Sequence, residues 1–549
     1  MSNALPTTTR TPVLIVGGGP TGLSAAIELA GRGVASTVIE PRATVDTDRP
    51  RAKTTNARTM SHLRRWGLAD TVRAAAPLPV DHAHDAVFVS TLLGREVTRF
   101  TEIFQLTVRQ PEQAPERGQQ VGQPVIEEVL RARVQALDLV DLRLGARVTE
   151  VRQTGSGALA VVERPDGSSE SIEADYVLGC DGGSSAVRTA LGARFEGGSG
   201  VRPNLSILFS SPGLAERVPH QDAIHYWVLA PGAGGIVGRM DLKDTWWAIV
   251  QGVDVTAAEA DPVTMVRTLV GDDVPVDVIA TDLWNCRMLL SDHYLSAENP
   301  NLLIAGDAAH LNPPWGGHGF NTCVGDAVNV AWKLAAVLNG WGGPALLPSY
   351  EPERRPVAAR TIADASANNN ALAHHFADDL LGEDGPAGAA ARAQAATELQ
   401  VKDSEFHSLG LVLGYNYAGS PIVTEDGTLA PAEDPIVYTP SAHPGCLLPH
   451  VWLADGRSVY DALGAGFTLL ALPGVDVSPA AAAVTAAAAE HDIPVTVLAL
   501  TGDATELSTA QLRERWGADL LLIRPDQHVA WRGSDPAVAA AGLLRAAGW

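Results

Sequence analysis

Residues 12–40 constrain this chain more than any other stretch. Pro12-Val-Leu-Ile-Val16 is a buried-strand run, Gly17-Gly-Gly-Pro-Thr-Gly22 follows, and Leu23-Ser-Ala-Ala-Ile-Glu-Leu-Ala30 has helical apolar spacing. A second strand, Ser36-Thr-Val-Ile-Glu40, completes a βαβ unit with a parallel crossover. The loop Gly17-x-Gly19-x-x-Gly22 permits a tight turn into a helix that opens on Pro20 and Thr21. Backbone N–H groups at such a helix start can approach a pyrophosphate. Glu40, at the end of the second strand, is placed to accept hydrogen bonds from ribose hydroxyls.

The rest of the chain must be more than one such unit, because 549 residues divide into roughly three or four domains. Two further apolar runs end in loops of the same kind. Gly179-Cys-Asp-Gly-Gly-Ser-Ser-Ala-Val-Arg188 and Leu303-Ile-Ala-Gly306-Asp307-Ala-Ala-His310 stand at strand ends, where ligands sit in open α/β sheets. Residues from about 200 to 290 alternate apolar and polar positions, as in His225-Tyr-Trp-Val-Leu-Ala230 and Thr245-Trp-Trp-Ala-Ile-Val250, and predict an antiparallel sheet. Gly232, Gly234 and Gly238 read there as a hairpin turn, not a second dinucleotide loop. The predicted fold class is α/β: a Rossmann-like nucleotide domain over 1–198 and 284–364, an inserted antiparallel-sheet substrate domain over 199–283, a helical segment and proline-rich, acidic linker over 365–444, and a C-terminal α/β unit over 445–549.

Charge narrows the partners. Sixty-three acidic residues against 40 basic give a formal −23, which disfavours nucleic acid and anionic membrane surfaces. The longest uncharged small-apolar stretch, Pro479–Ala489, is too short for the ~18 residues of a bilayer span. The N-terminal apolar run leads straight into glycines, unlike a signal peptide. Four scattered cysteines (Cys180, Cys286, Cys323, Cys446), with no CxxC, suggest neither a disulfide framework nor a metal site. The expectation is a reduced, cytoplasmic protein without metal.

Three motifs in this order resemble the group A flavoprotein aromatic hydroxylases of the p-hydroxybenzoate hydroxylase fold, and more narrowly the phenol, chlorophenol and polyketide hydroxylases. The resemblance implies non-covalent FAD. It assigns Gly17, Gly19, Pro20, Thr21, Gly22 and Glu40 to the ADP half, Arg51 to the pyrophosphate and Gln123 to the flavin chain. It gives Gly306 and Asp307 to the ribitol and ties Asp181 to both FAD and the nicotinamide cofactor. Pro314, Gly317, Gly319, Phe320 and Asn321 fall in a loop opening a helix, whose N-terminal dipole would stabilise reduced flavin. Phe320 and Cys323 depart from the common Leu and Gly of that loop, and Cys323 reads as a packed thiol. His310 reads as a structural hydrogen-bonding residue.

The implied reaction is hydroxylation of a phenolic or polycyclic aromatic substrate by O2 and NADPH or NADH through a C4a-hydroperoxyflavin, the nicotinamide docking transiently. His225, Trp227 and Lys53 are the candidate catalytic residues at the substrate, with His225 a possible acceptor of a phenol proton. A Baeyer–Villiger or epoxidase activity on the same scaffold stays open. So does a non-catalytic flavin-fold protein that binds an aromatic metabolite. The C-terminal unit resembles a thioredoxin-like domain through Asp455–Leu463, Phe467–Leu470 and Leu522–Arg532, but Cys446 alone cannot do dithiol chemistry. It is expected to support assembly of a homo-oligomer, with the apolar tail Val538–Trp549 as one candidate surface.

Overall fold

Aliphatic strands buried on both faces set the first layer. In the computed structural model, which describes residues 8–155, 157–231, 234–254, 261–296, 300–369 and 373–549, the strand Thr8–Val16 pairs in parallel with Ser36–Glu40 and with Ser169–Gly179. Val140–Leu144 extends the sheet beyond Ser36–Glu40. The strand Ser169–Gly179 divides its partners: residues 169–174 take an antiparallel hairpin, and 177–179 take Leu302–Ile304 in parallel. Val13, Leu14 and Ile15 are wholly buried. Val16 lies opposite Gly179, and Gly179 opposite Ile304. The three motif loops therefore leave one edge of one sheet.

The second sheet is wider than the span 199–283 expected for it. Its order is Asp277–Trp284, Asn204–Ser210, Thr245–Val250, Gly235–Arg239, His225–Val228, Ala86–Val89 and Glu96–Phe100. The last two strands come from the N-terminal third of the chain, and His225–Val228 runs parallel to Ala86–Val89. The sheet is thus mixed, not purely antiparallel. Gly235–Arg239 pairs antiparallel with His225–Val228; Gly238 lies inside that strand instead of in the turn, and Gly232 lies outside the described residues.

The proline-rich stretch is no loose linker. Ile422 and Ala442 are fully buried, Thr424 N–H donates to the Ala530 carbonyl at 2.9 Å, and Asp426 pairs with Arg532 at 2.6 Å. Prolines there shape packed coil instead of freeing it. Beyond it, Phe467–Ala471 pairs in parallel with Val495–Ala499 and antiparallel with Leu520–Ile523, which pairs with Val529–Gly533. All five residues of Phe467–Ala471 are buried between helices, the arrangement expected of a thioredoxin-like unit. The tail helix Pro536–Ala546 packs within its own chain. The Trp549 indole N–H donates to Trp341 O at 3.0 Å and its ring stacks on His491 at 3.8 Å, while Val538 and Trp549 stay 42 % and 47 % exposed. Among the described residues no helix is long and apolar enough to cross a membrane, and no cluster could hold a metal ion.

Candidate functional site

The glycines of the first loop are not equivalent. A Cβ on Gly17, at φ +104°, would lie 2.3 Å from Cys180 O, and one on Gly22 would lie 2.0 Å from Gly17 O. One on Gly19 would meet nothing within 4 Å. Two glycines are required by the protein's own packing, and the third clears space beside a helix start. That helix, Pro20–Ala30, has no side-chain cap, so its first N–H groups are free for a ligand. Thr21 fills the space next to Gly306, where a Cβ would come 2.6 Å from Thr21 Oγ1.

Glu40 is buried at its strand end. Its Oε2 accepts from Gly18 N at 2.8 Å, and its Oε1 accepts from Arg42 N at 2.9 Å and Arg42 Nε at 2.7 Å. A carboxylate has about four acceptor positions, so one stays open for a ribose hydroxyl. Arg51 is exposed. Gln123 opens the helix Gln123–Gln135, and its N–H donates to Ala52 O at 2.7 Å, which brings it beside Arg51.

Asp181 acts first as a cap. It accepts from Ser185 Oγ at 2.5 Å, Ala186 N at 2.7 Å and Val187 N at 3.3 Å, at the start of the helix Ala186–Leu191. Burial pushes its carboxyl up despite these bonds. Asp307 differs. It is exposed amid buried neighbours, with the Cys323 thiol 3.6 Å away. Burial and two nearby carboxylates push Cys323 well above the usual thiol range, which leaves it an inert packed group.

Behind Asp307 lies a buried network that sequence reasoning missed in part. Asp326 Oδ2 accepts from Gly306 N at 3.1 Å and contacts His310 Nε2 at 2.8 Å, while Arg354 Nε donates to Asp326 Oδ1 at 2.8 Å. Burial opposes a charged His310, but Asp326 outweighs it and raises the imidazole above its ordinary value. The available signal for Asp326 was a lone acid inside the apolar run Val324–Val328.

The loop Trp315–Gly317 uses two left-handed glycines, Gly316 at φ +80° and Gly317 at φ +65°, to turn into the helix His318–Leu338. That helix also lacks a side-chain cap. Pro314 is exposed, Gly319 half-buried, and Phe320 packs on the core of the nucleotide sheet. Asn321 spends its amide as a clamp: Oδ1 accepts from Asn56 N at 3.0 Å, and Nδ2 donates to Thr54 O at 3.1 Å and Gly317 O at 2.7 Å. It fixes the segment after Lys53 against the helix start.

Lys53 then reaches across to the second sheet, with Nζ 4.2 Å from the Trp247 ring centroid. His225 meets Trp247 edge-on at 5.2 Å and Phe104 at 5.4 Å. Burial and the Lys53 charge push His225 down to about 3, so it is neutral near pH 7, and its Nδ1 has no hydrogen-bond partner among the described residues. Trp227 corrects an expectation. It has 0 % exposure, stacks on Phe88 at 5.4 Å and lies 4.6 Å under the Lys402 ammonium, so it cannot touch a substrate. It shares a face with His225 by the period of two, one step deeper in the aromatic core.

The open position at Gly19, the spare acceptor of Glu40, the exposed Asp307 and two uncapped helix starts fit FAD. Comparison with known proteins agrees. Residues 10–365 match the FAD binding domain family, and 441–548 match the aromatic-ring hydroxylase C-terminal family. The chain is 31% identical to FAD-dependent monooxygenase apdD of Emericella nidulans, over 96% of this chain and 89% of that one. It is 30% identical to phenol 2-monooxygenase of a Pseudomonas species, over 97% and 92% respectively. Among solved structures, RebC soaked with chromopyrrolic acid and holding 7-carboxy-K252c superposes with a TM-score of 0.88 at 31% identity, covering 98% of this chain and 100% of that one. The chain thus belongs to the FAD-dependent aromatic-ring hydroxylases and is a flavoprotein monooxygenase.

Proposed function

We propose that this enzyme hydroxylates a phenolic or polycyclic aromatic ring, using O2 and NADPH or NADH. The observation that carries the reading is the meeting of the FAD cradle with an aromatic wall: Lys53, next to the Thr54 carbonyl held by Asn321, lies against Trp247 and His225. The name of phenol 2-monooxygenase and the 7-carboxy-K252c held by RebC support the substrate class. Bound FAD supplies the redox chemistry, taking hydride from NAD(P)H and activating O2. The chain's own residues do the rest. Gly17, Gly19, Pro20, Thr21, Gly22 and Glu40 hold the ADP half; Arg51 and Gln123 lie along the cofactor's middle; Asp181, Gly306 and Asp307 meet the flavin chain. Pro314, Gly317, Gly319, Phe320 and the Asn321 backbone border the ring. Lys53 and His225 orient the substrate, and the buried aromatic sheet excludes water.

Purified enzyme is expected to be yellow and to oxidise NAD(P)H faster when an aromatic ligand is added. Product NMR should show a new ring hydroxyl; ring expansion or an epoxide would mean a different oxygen transfer. Ligand binding with no stimulated oxidation would leave an aromatic-metabolite binder. Asp307→Ala should weaken FAD binding by about 1.5–3 kcal/mol, the worth of a charge-assisted hydrogen bond, read by flavin titration of the apoprotein. We place the protein in the cytoplasm, consistent with four free cysteines, and as a homo-oligomer. Light scattering that returned a monomer would overturn the last point.

A further inference from the structure

We propose that Lys53 is the anion receptor of the substrate site, so that the natural substrate is an aromatic molecule bearing an acidic oxygen, a carboxylate or an acidic phenol, that pairs with its ammonium beside His225 and Trp247. The proposal rests on the hydroxylase reading above and narrows its substrate.

The sequence has four lysines. Lys243 is exposed. Lys333 and Lys402 are fully buried, and each has a carboxylate close by, Glu353 at 2.7 Å and Glu405 at 2.6 Å. Lys53 is half-buried, yet among the described residues no carboxylate lies within 4.0 Å of it. An ammonium has three protons to donate. Here one reaches Arg51 O at a long 3.3 Å, and the Trp247 face takes another side of the charge.

The surroundings are set to receive something. Lys53 is fixed at its backbone, where its carbonyl accepts from Val121 N at 2.8 Å. Trp247 is pinned as well: it faces Gly238 across the sheet, and a Cβ there would sit 2.7 Å from the indole. The Trp247 Nε1 and His225 Nδ1 atoms are buried without hydrogen-bond partners among the described residues. Burial pushes the ammonium down to about 8, and the same charge helps keep His225 neutral. Among the described residues the site therefore offers the Lys53 charge with no carboxylate within 4.0 Å of it. A half-buried ammonium that holds only one long hydrogen bond gains a charge-assisted partner from an anionic ligand oxygen. A neutral aromatic offers no such partner.

The test uses the FAD-loaded enzyme at neutral pH and perturbation of the flavin spectrum. The probes are 1-hydroxy-2-naphthoate for the carboxylate, 2,4-dinitro-1-naphthol for the acidic phenol, and 1-naphthol and 2-methyl-1-naphthol as neutral partners. Wild type should bind at least one acid roughly tenfold or more tightly than the neutral naphthols, the scale of a charge-assisted hydrogen bond. Lys53→Met and Lys53→Gln should abolish that preference, and Lys53→Arg should keep it. FAD content is read from the same spectra, and if a variant loses flavin the wild-type selectivity alone decides. Equal binding of acids and neutral naphthols, a preference that survives in Lys53→Met, or a spectrum indifferent to both acids overturns the proposal. Failure of the hydroxylase reading looks different: probes bind, but no NAD(P)H is consumed and no oxygenated product forms.

Discussion

Replacing Arg524 with Met is expected to destabilise the protein by about 3–5 kcal/mol, the usual cost of stranding buried partner charges, and to shed FAD on mild heating. Arg524 lies between the strands Leu520–Ile523 and Val529–Gly533 of the C-terminal unit. It grips Glu353 with both terminal nitrogens, at 2.6 and 2.8 Å, and Asp526 at 3.1 and 2.6 Å. Glu353 also accepts from Lys333 at 2.7 Å, Asn329 at 2.8 Å and Ser420 at 2.7 Å. None of Lys333, Glu353, Arg524 and Asp526 is more than 2 % exposed. Without Arg524, two carboxylates would share a dry site with one ammonium.

The damage should travel to the cofactor because of where the partners sit. Lys333 belongs to the helix His318–Leu338 that opens at the flavin loop. Arg58, in the helix just after the Asn321 clamp, donates to Asp526 O at 2.9 Å and Gln527 Oε1 at 2.5 Å. The C-terminal unit is thus keyed into both walls of the proposed FAD site, and a chain ended near Pro440 should not hold flavin. The cluster also predicts a pH dependence. Burial works against the Glu353 carboxylate, but the charges of Arg524 and Lys333 hold it down to about 2, against an ordinary 4.5. A lowered folded value means the contribution is complete above about 4.5 and is lost as pH falls toward 2. Denaturation midpoints should therefore drop on acidification through that window in wild type and much less in Arg524→Met. Equal stability of the two proteins at pH 7 would mean that the cluster is solvated.

What could be read from sequence follows from how local each signal is. The Gly17–Gly22 loop and Glu40 are marked by spacing within one strand–loop–helix unit, Asp181 and Asp307 lie in strand-end motifs whose roles the family resemblance implies, and the strand register brings these loops to one edge. The second sheet was misjudged because its pairing of His225–Val228 with Ala86–Val89 joins segments far apart in sequence, and neither run announces its partner. Trp227 and His225 share a strand face, yet periodicity says nothing about depth, and depth buries Trp227 completely while leaving His225 partly exposed. Glu353 and Arg524 look in sequence like ordinary surface charges, and Asp326 is marked only by the apolar residues on either side of it. Only their distant partners make them buried keys. Asn321 shows the converse: its place in a glycine-rich loop suggested a ligand contact, and its amide is spent on the chain.

Gly19→Ala should separate folding from flavin binding. Gly19 has φ −77° and ψ −179°, extended backbone that alanine adopts without strain, and its Cβ would enter open space. The variant should fold with wild-type stability to within roughly 0.5 kcal/mol, as for a substitution that touches nothing. Yet that space is where the proposed pyrophosphate approaches the helix start, and a methyl group there crowds the ligand. An overpacked contact costs about 1–3 kcal/mol, so FAD should bind roughly tenfold to a hundredfold more weakly. Gly17→Ala and Gly22→Ala make the contrast. Their Cβ atoms would fall 2.3 and 2.0 Å from carbonyl oxygens of Cys180 and Gly17, and Gly17 would in addition be strained at φ +104°. Those two variants should lose stability before any ligand is added. Thermal unfolding of the three apoproteins, set beside flavin titrations, reads both quantities. A Gly19→Ala protein that kept FAD as tightly as wild type would move the pyrophosphate away from this loop and leave the helix Pro20–Ala30 without its ligand.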